Sequence, residues 1–269
     1  PKSVLVVGAG PAGLQSAISA AQHGHRVTVV EARASAGGNL RLAASVPNRA
    51  EIGDLVRNPL IECEGLGVAI RFDTRADAEL VQREAPDTVI VATGSAPAPP
   101  YWVPGEQTDE LRFADCTEVL DGSAEPSGAV IVVDEIGFHQ ATSVAESLAE
   151  RGCEVEVITS GMVVGQDLGV TLDMEGWRMR AHAKGISMDT DLVVVGVEGG
   201  ALQLLRHPTG EMLSKAADWV VLAVPARAED ALYTELRDRG VDVHRVGDCV
   251  APRRAHAAVI DGDRVGAAL

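Results

Sequence analysis

The feature that most constrains the fold is a glycine-rich run at residues 4–13. Four apolar, β-favouring residues lead into Gly8-x-Gly10-x-x-Gly13, and apolar residues at helical spacing follow directly. This order predicts a strand, a tight turn and a helix. In such a turn Gly8 permits the bend, Gly10 lets the backbone approach a pyrophosphate, and Gly13 allows the helix to pack closely on the strand. The first turn of the helix offers N–H groups and partial positive charge, which favour phosphates.

A second predicted strand, at residues 26–30, ends in an acidic residue. Glu31 stands about 20 residues after the glycine motif, where a carboxylate accepts the ribose hydroxyls of an adenine nucleotide. A glycine-rich motif alone is weak evidence, because similar turns occur where nothing binds. Here the strand, the helix, the second strand and the acid all occur at the required spacing. We therefore predict a dinucleotide-type site in this part of the chain.

The residues after the acid predict a turn and then a helix. Gly37-Gly38 should form a turn that leads into a polar loop. Apolar residues at helical spacing follow at residues 49–65. Pro59 should kink or break that helix, because its ring clashes with the preceding turn.

A buried strand is predicted at residues 88–91, and it ends in three small residues. Ala92, Thr93 and Gly94 would let the chain pass close to a bound dinucleotide. Residues 97–105 are rich in proline and cannot form a helix. We interpret this stretch as the crossover into a second domain.

The second half of the chain repeats the strand–helix–strand pattern at residues 129–158, but its loop differs. When the two helices are aligned, the three glycine positions are taken by Ile136, Phe138 and Ala141. A phenylalanine would block the approach of a pyrophosphate. Thr159 stands where the ribose acid is needed. We predict a nucleotide-type domain that does not bind NAD(P).

The last strong motif is a predicted strand that ends in Gly247-Asp248. A helix opens a few residues later, after Arg253 and Arg254. Gly-Asp is also a common turn, so this motif gains weight only beside the other two. One of the two arginines either neutralises a cofactor phosphate or is a surface charge.

Composition excludes several classes of protein. A net charge of -16 argues against nucleic acid and anionic membranes as partners. No apolar run approaches the ~20 residues of a membrane span, and no signal peptide precedes the first strand, so we expect a cytoplasmic protein. No catalytic residue and no metal site is predicted, since the scattered cysteines form no Cys-x-x-Cys pair. They are Cys63, Cys116, Cys153 and Cys249. The abrupt ends of the sequence suggest a piece of a larger polypeptide.

In combination these motifs resemble the two-dinucleotide-domain flavoproteins, and the tail at residues 252–266 narrows the resemblance. The chain is similar to the C-terminal region of the large enzymes related to Old Yellow Enzyme, namely 2,4-dienoyl-CoA reductase and trimethylamine, dimethylamine and histamine dehydrogenases. The resemblance implies an α/β, glutathione-reductase-like architecture of two Rossmann-like domains. Residues 1–105 and 226–269 would form the FAD- or ADP-binding domain, with a degenerate NAD(P)-type domain, residues 106–225, inserted in it. The implied cofactor-binding residues are Gly8, Gly10, Pro11, Ala12, Gly13, Glu31, Ala32, Arg33, Gly37, Gly38, Asn39, Leu40, Ala76, Ala92, Thr93, Gly94, Gly247, Asp248 and Arg254.

The enzymes of this resemblance begin with a barrel that binds FMN and carries a four-iron cluster. In the reductase branch the first nucleotide domain holds FAD and the second holds NADPH. In the amine dehydrogenase branch the first site holds only ADP, and electrons leave to an electron-transfer flavoprotein. The loop at residues 134–141 resembles the second branch, whereas Gly37-Gly38 and Gly247-Asp248 are what a full FAD needs.

Three functions therefore stay open at this point. The first is an FAD- or ADP-binding module that relays electrons to or from such a barrel, on the same chain or on another subunit. The second is a self-contained NAD(P)H-dependent flavin reductase, and the third is a non-catalytic module that docks a redox partner. The sequence identifies neither the substrate nor the oligomeric state, because the barrel that would bind a substrate is not part of it.

Overall fold

The computed structural model describes residues 1–105 and 110–269. The chain forms two compact units. The first comprises Pro1–Ala44, Arg49–Ala96 and Ala226–Leu269, and the second comprises Ser45–Asn48 and Pro97–Pro225. The long segment of the second unit begins at Pro97, where the proline-rich stretch begins. Both units contain a parallel sheet with helices, which confirms the predicted α/β fold class.

The secondary structure alternates along the chain as α/β units require. The strands are β1 (Ser3–Val7), β2 (Arg26–Val30), β3 (Ala69–Arg71), β4 (Thr88–Val91), β5 (Ser95–Pro97), β6 (Arg112–Asp115), β7 (Ala129–Asp134), β8 (Glu154–Thr159), β9 (Ser187–Asp189), β10 (Leu192–Glu198), β11 (Ala201–Arg206), β12 (Glu211–Ala216), β13 (Trp219–Ala223), β14 (Ala226–Ala228) and β15 (Val243–Arg245). The helices are α1 (Pro11–Gln22), α2 (Asn39–Ser45), α3 (Asp54–Gly65), α4 (Ala78–Glu84), α5 (Cys116–Asp121), α6 (His139–Glu150), α7 (Met174–Ala183), α8 (Ala231–Asp238) and α9 (Ala255–Ala267).

The first unit is built on a parallel sheet with the strand order β15-β4-β1-β2-β3. The central strand β1 is apolar from Val4 to Val7 because helices cover both faces of the sheet. Val4 and Val6 point into a core shared with α1, while Leu5 and Val7 point into a core shared with α4 and α8. Strand β1 therefore ends in the middle of the sheet, and the loop after it lies at the carboxyl edge.

The second unit repeats this topology with the strand order β6-β13-β7-β8-β9. One face of the sheet packs against α6 and α7, where Trp177 is buried. The other face packs against an antiparallel sheet in the order β10-β11-β12, through Leu192, Leu202 and Leu204. Strand β7 occupies the place that β1 has in the first unit.

In the first unit the predicted polar loop was wrong, and the break that was allowed for at Pro59 does not occur. Residues after Gly38 form helix α2 instead of a polar loop, because Leu40 and Leu42 face the interior and are buried. Helix α3 continues through Pro59 without a break. The carbonyl that Pro59 deprives of a partner belongs to Leu55, whose side chain is 48% exposed, so water can reach this side of the helix.

Candidate cofactor site

Close backbone contacts shape the loop between β1 and α1. Gly8 has a φ of +107°, and a Cβ there would lie 2.4 Å from the carbonyl oxygen of Ala92. A Cβ on Gly13 would lie 1.9 Å from the carbonyl oxygen of Gly8. Both positions require glycine because of neighbouring protein atoms, and they hold the loop in one shape.

Gly10 differs, because neither its conformation nor the surrounding protein requires glycine. Its φ of -77° suits any residue, and a Cβ built there has no heavy atom within 4 Å. Gly10 is the N-cap of α1, and Pro11 takes the first helical position, where its missing N–H is no loss. The N–H groups of a first helical turn have no partner within the helix. Space and donors at this point fit a ligand that carries phosphate.

The Gly37-Gly38 turn borders the same space. Both glycines have positive φ, +114° for Gly37 and +52° for Gly38. A Cβ on Gly38 would lie 3.6 Å from Cα of Gly10, so the two glycine turns meet. Asn39 and Leu40 then begin α2, with Asn39 exposed and Leu40 buried. Of this pair, only Asn39 offers an exposed side chain.

The carboxylate of Glu31 is held beside the glycine loop. One oxygen accepts a hydrogen bond from the N–H of Ala9 at 2.8 Å, and the other accepts one from the N–H of Arg33 at 2.9 Å. A carboxylate oxygen can accept a second hydrogen bond, so both can still accept ribose hydroxyls. Ala32 is exposed beside this carboxylate, and Ala76 lies half-buried beyond β3.

The Gly247-Asp248 turn lies against the first turn of α1. Gly247 has a φ of +68°, and a Cβ there would lie 2.6 Å from Cβ of Ala12. One carboxylate oxygen of Asp248 accepts from the N–H of Arg253 at 2.9 Å, and the other accepts from the hydroxyl of Ser95 at 3.3 Å. The aspartate is therefore fixed in orientation near the glycine loop.

Ala92, Thr93 and Gly94 join this arrangement from β4. The hydroxyl of Thr93 donates to the carbonyl oxygen of Glu229 at 2.5 Å and contacts the Cys249 sulfur at 3.4 Å. Burial raises the pKa of Cys249, so this thiol stays protonated at neutral pH. Gly94 has a φ of +79°, which favours glycine and turns the chain away from the site.

The two arginines at the start of α9 have different surroundings. Arg254 is the N-cap of α9 and has an extended backbone. The guanidinium of Arg253 pairs with the carboxylate of Asp261 on the same helix. Arg253 is therefore committed to a contact within the protein, and Arg254 stands at the helix start.

The contact that packs α9 against α1 was not predicted from the sequence. A Cβ on Gly262 would lie 2.3 Å from the carbonyl oxygen of Ala12, and one on Gly266 would lie 2.5 Å from that of Ser16. The backbones of α1 and α9 therefore touch. The signal was present, since both helices carry small residues four positions apart, which is one helical face.

The corresponding turn of the second unit has another shape. Four residues, 135–138, separate β7 from α6, whereas three, 8–10, separate β1 from α1. Phe138 is the N-cap of α6, in the place of Gly10, and the helix starts at His139. Thr159 ends β8, and its hydroxyl accepts from the N–H of Gly161 at 3.1 Å.

In the described ranges, 1–105 and 110–269, no helix has the length and apolar character needed to cross a bilayer. Within the same residues, no three of His, Cys, Asp and Glu come together as a metal-binding group.

Residues 2–262 match the family described as pyridine nucleotide-disulphide oxidoreductase. The chain belongs to this family, which confirms the predicted oxidoreductase class and supports a flavin nucleotide as cofactor.

Three similar proteins show which longer enzymes contain a region like this chain. It is 32% identical over 301 residues to N,N-dimethylglycine/sarcosine dehydrogenase of Chromohalobacter salexigens, a match that covers 98% of this chain and 43% of that protein. It is 30% identical to NADH oxidase of Thermoanaerobacter brockii, over 98% of this chain and 40% of that protein. Histamine dehydrogenase from Rhizobium sp. 4-9 has the same fold, with a TM-score of 0.92 at 24% identity, over 99% of this chain and 44% of that one. The chain thus spans less than half of each protein. The predicted resemblance to the C-terminal part of such enzymes is confirmed.

Proposed function

We propose that the first unit binds FAD and that the chain is the FAD-binding module of a multidomain flavin and iron–sulfur oxidoreductase. In this role it relays electrons to or from a barrel domain that holds FMN and an iron–sulfur cluster. The observation that carries the proposal is Gly10, which, unlike Gly8 and Gly13 of the same motif, need not be glycine for the protein's own packing. The space beside it is bordered by the Gly37-Gly38 turn and by the first turn of α1.

FAD is favoured over ADP by the position of Asp248. ADP alone needs the glycine loop and Glu31, which hold the pyrophosphate and the ribose. If only ADP were bound, Asp248 would have no ligand group to contact. Yet Gly247 lies close to Ala12, and the carboxylate of Asp248 is fixed by two hydrogen bonds. A carboxylate beside the pyrophosphate position suits the hydroxyls of a ribityl chain.

The chain would hold the cofactor through four groups of atoms. The first turn of α1 donates to the pyrophosphate, and Glu31 accepts from the adenosine ribose. Asp248 would accept from the ribityl chain, and Arg254, at the start of α9, would supply a positive charge to the cofactor. The chemistry that FAD supplies when bound is transfer of one or two electrons.

The absorption spectrum of the purified protein tests the cofactor. A flavin spectrum in one-to-one amount with protein, with FAD identified after heat release, is the expected result. A colourless protein that releases ADP would support the structural-nucleotide alternative and contradict FAD binding.

The barrel, the substrate and the electron acceptor are proposed from the relatives. These are longer proteins with an additional barrel domain, and one is named for dehydrogenation of N,N-dimethylglycine and sarcosine. We propose a barrel partner of this kind, on the same chain or on a separate subunit, and an electron-transfer flavoprotein as an acceptor. The isolated chain should show no amine oxidation or enoyl reduction. Robust turnover by the isolated chain would contradict its role as a partial module.

We further propose that the second unit binds no NADH or NADPH with useful affinity. Phe138 stands at the helix start where Gly10 stands in the first unit, and Thr159 replaces the ribose acid. A self-contained NAD(P)H-dependent flavin reductase is the alternative, and similarity to a protein named NADH oxidase makes the test necessary. Calorimetric titration with NADH and NADPH decides: a micromolar dissociation constant would support the reductase, and binding weaker than about millimolar supports our proposal.

A further inference from the structure

The turn that leads into α6, in the second unit, is in contact with another segment of the same unit. We call residues 161–169, which follow β8, the closing segment. The N–H of Asp167 in this segment donates to the carbonyl oxygen of Gly137 at 2.8 Å. A Cβ on Gly137, the residue before the N-cap Phe138, would lie 3.7 Å from a side chain of the segment. At Gly10, the N-cap of the first unit, a Cβ meets no heavy atom within 4 Å.

A buried carboxylate ties the closing segment to this turn. One oxygen of Asp134 accepts from the N–H of Gly137 at 2.7 Å, and the other accepts from the N–H of Gly165 at 2.9 Å. Asp134 is 1% exposed, and burial raises its pKa despite these hydrogen bonds. Beyond the segment, Asp173 pairs with His139, the first residue of α6, at 3.2 Å.

Apolar packing holds the segment in the same position. Val164 and Leu168 belong to the core beside α6, with exposures of 2% and 0%. Between them Gly165 has a φ of +64°, and a Cβ there would lie 2.9 Å from the methyl group of Thr142 on α6. The closing segment is therefore part of the packed unit and not a loose loop.

We propose that the Asp134 carboxylate and the closing segment together take the place that a dinucleotide phosphate occupies in a working nucleotide domain, and so hold the second site closed. This inference deepens the proposal that the second unit binds no NAD(P)H, and rests on it. A phosphate would have to displace a buried carboxyl group and a segment with two side chains in the core. Restoring glycines in the turn would therefore not restore binding while Asp134 keeps its two hydrogen bonds.

Amide hydrogen exchange on the full chain tests this closure. In the wild-type protein the amides of Gly137 and Gly165 should exchange at least about tenfold more slowly than the same residues in an unfolded peptide. Asp134→Ala removes both acceptors and should speed exchange of these amides about tenfold or more, while the interior of α6 keeps its protection. Asp134→Asn keeps one acceptor and should give a smaller effect. Asp121→Ala, which removes an exposed turn carboxylate in the same unit, is the matched control and should leave the closing segment unchanged.

Two results would overturn the inference. One is rapid exchange of Gly165 in the wild-type protein, which needs no variant and is decisive even if Asp134→Ala does not fold. The other is a folded Asp134 variant with unchanged exchange in the closing segment. Either result, combined with absent NADPH binding in calorimetry, overturns only this closure. Tight NADPH binding by the wild-type protein would instead overturn the proposed function of the second unit, and the closure with it.

Discussion

Gly10→Val should separate cofactor binding from folding. The backbone of Gly10, with φ -77° and ψ -177°, is extended and accessible to valine. A Cβ at this position has no heavy atom within 4 Å, so the added methyl groups enter open space. An apolar N-cap in place of glycine costs on the order of 1 kcal/mol. The protein should therefore stay folded.

The loss of binding should be much larger than this. The methyl groups of the introduced valine would keep a phosphate away from the N–H groups at the first turn of α1. A hydrogen bond to a charged group contributes about 1.5–3 kcal/mol, so two lost bonds cost about 3–6 kcal/mol. Because about 1.4 kcal/mol is tenfold in affinity, binding should weaken at least about 100-fold.

The assay compares cofactor content, cofactor affinity of the apoprotein and thermal unfolding in the two glycine variants of this loop. Gly13→Ala is the matched control, since its Cβ would lie 1.9 Å from the carbonyl oxygen of Gly8 and must distort the loop. We expect Gly13→Ala to lose both stability and cofactor, and Gly10→Val to lose cofactor alone. Wild-type cofactor content in Gly10→Val would refute the assignment of this space to the ligand. Equal destabilisation of the two variants would refute the steric argument.

Three other variants test the remaining parts of the structure. Glu31→Gln should weaken nucleotide binding about tenfold or more, because an amide accepts ribose hydroxyls less strongly than a carboxylate; unchanged affinity in an apoprotein titration would contradict the ribose role. Gly262→Ala should lower the free energy of unfolding by about 1–3 kcal/mol, since its Cβ would lie 2.3 Å from the carbonyl oxygen of Ala12, and denaturant unfolding measures this. Burial opposes ionisation of Asp189, yet hydrogen bonds from Arg206 and a neighbouring lysine leave the pKa of Asp189 below its usual value. Its contribution is therefore present above the ordinary pKa and lost as pH falls through the lower folded pKa; Asp189→Asn should cost about 1 kcal/mol at neutral pH, with a difference that vanishes in acid unfolding curves.

The sequence predicts those elements whose local pattern is strong. Strand β1 and helix α1 stand out because an apolar run, glycines and helical spacing follow each other within 20 residues. Strands β5, β9 and β14 are three residues each and carry no such pattern. Strand β12 was missed because its residues are mostly exposed, and only pairing with β11 makes it a strand.

At the site, too, features with a local sequence pattern were predicted, whereas contacts between residues distant in sequence were not. Gly8 and Gly13 are recognisable because the motif itself states their spacing. The contact between Gly262 and Ala12 joins helices at opposite ends of the chain, and no local pattern specifies which helix a small-residue face will meet. The closing segment was missed for a related reason: Gly165 reaches Asp134 only after the fold has formed.

The contact between α1 and α9 also affects which of the two units can fold first. The hydroxyl of Ser19 donates to Asp263, 244 residues later, at 2.6 Å. Most of the second unit, Pro97–Pro225, is continuous in sequence, so it can fold while the ribosome is still at work. The first unit has to wait for Ala226–Leu269, which supply β15, Asp248 and α9. In the proposed role, cofactor binding therefore follows the synthesis of residues 226–269, because a chain that stops before them lacks β15, Asp248 and α9.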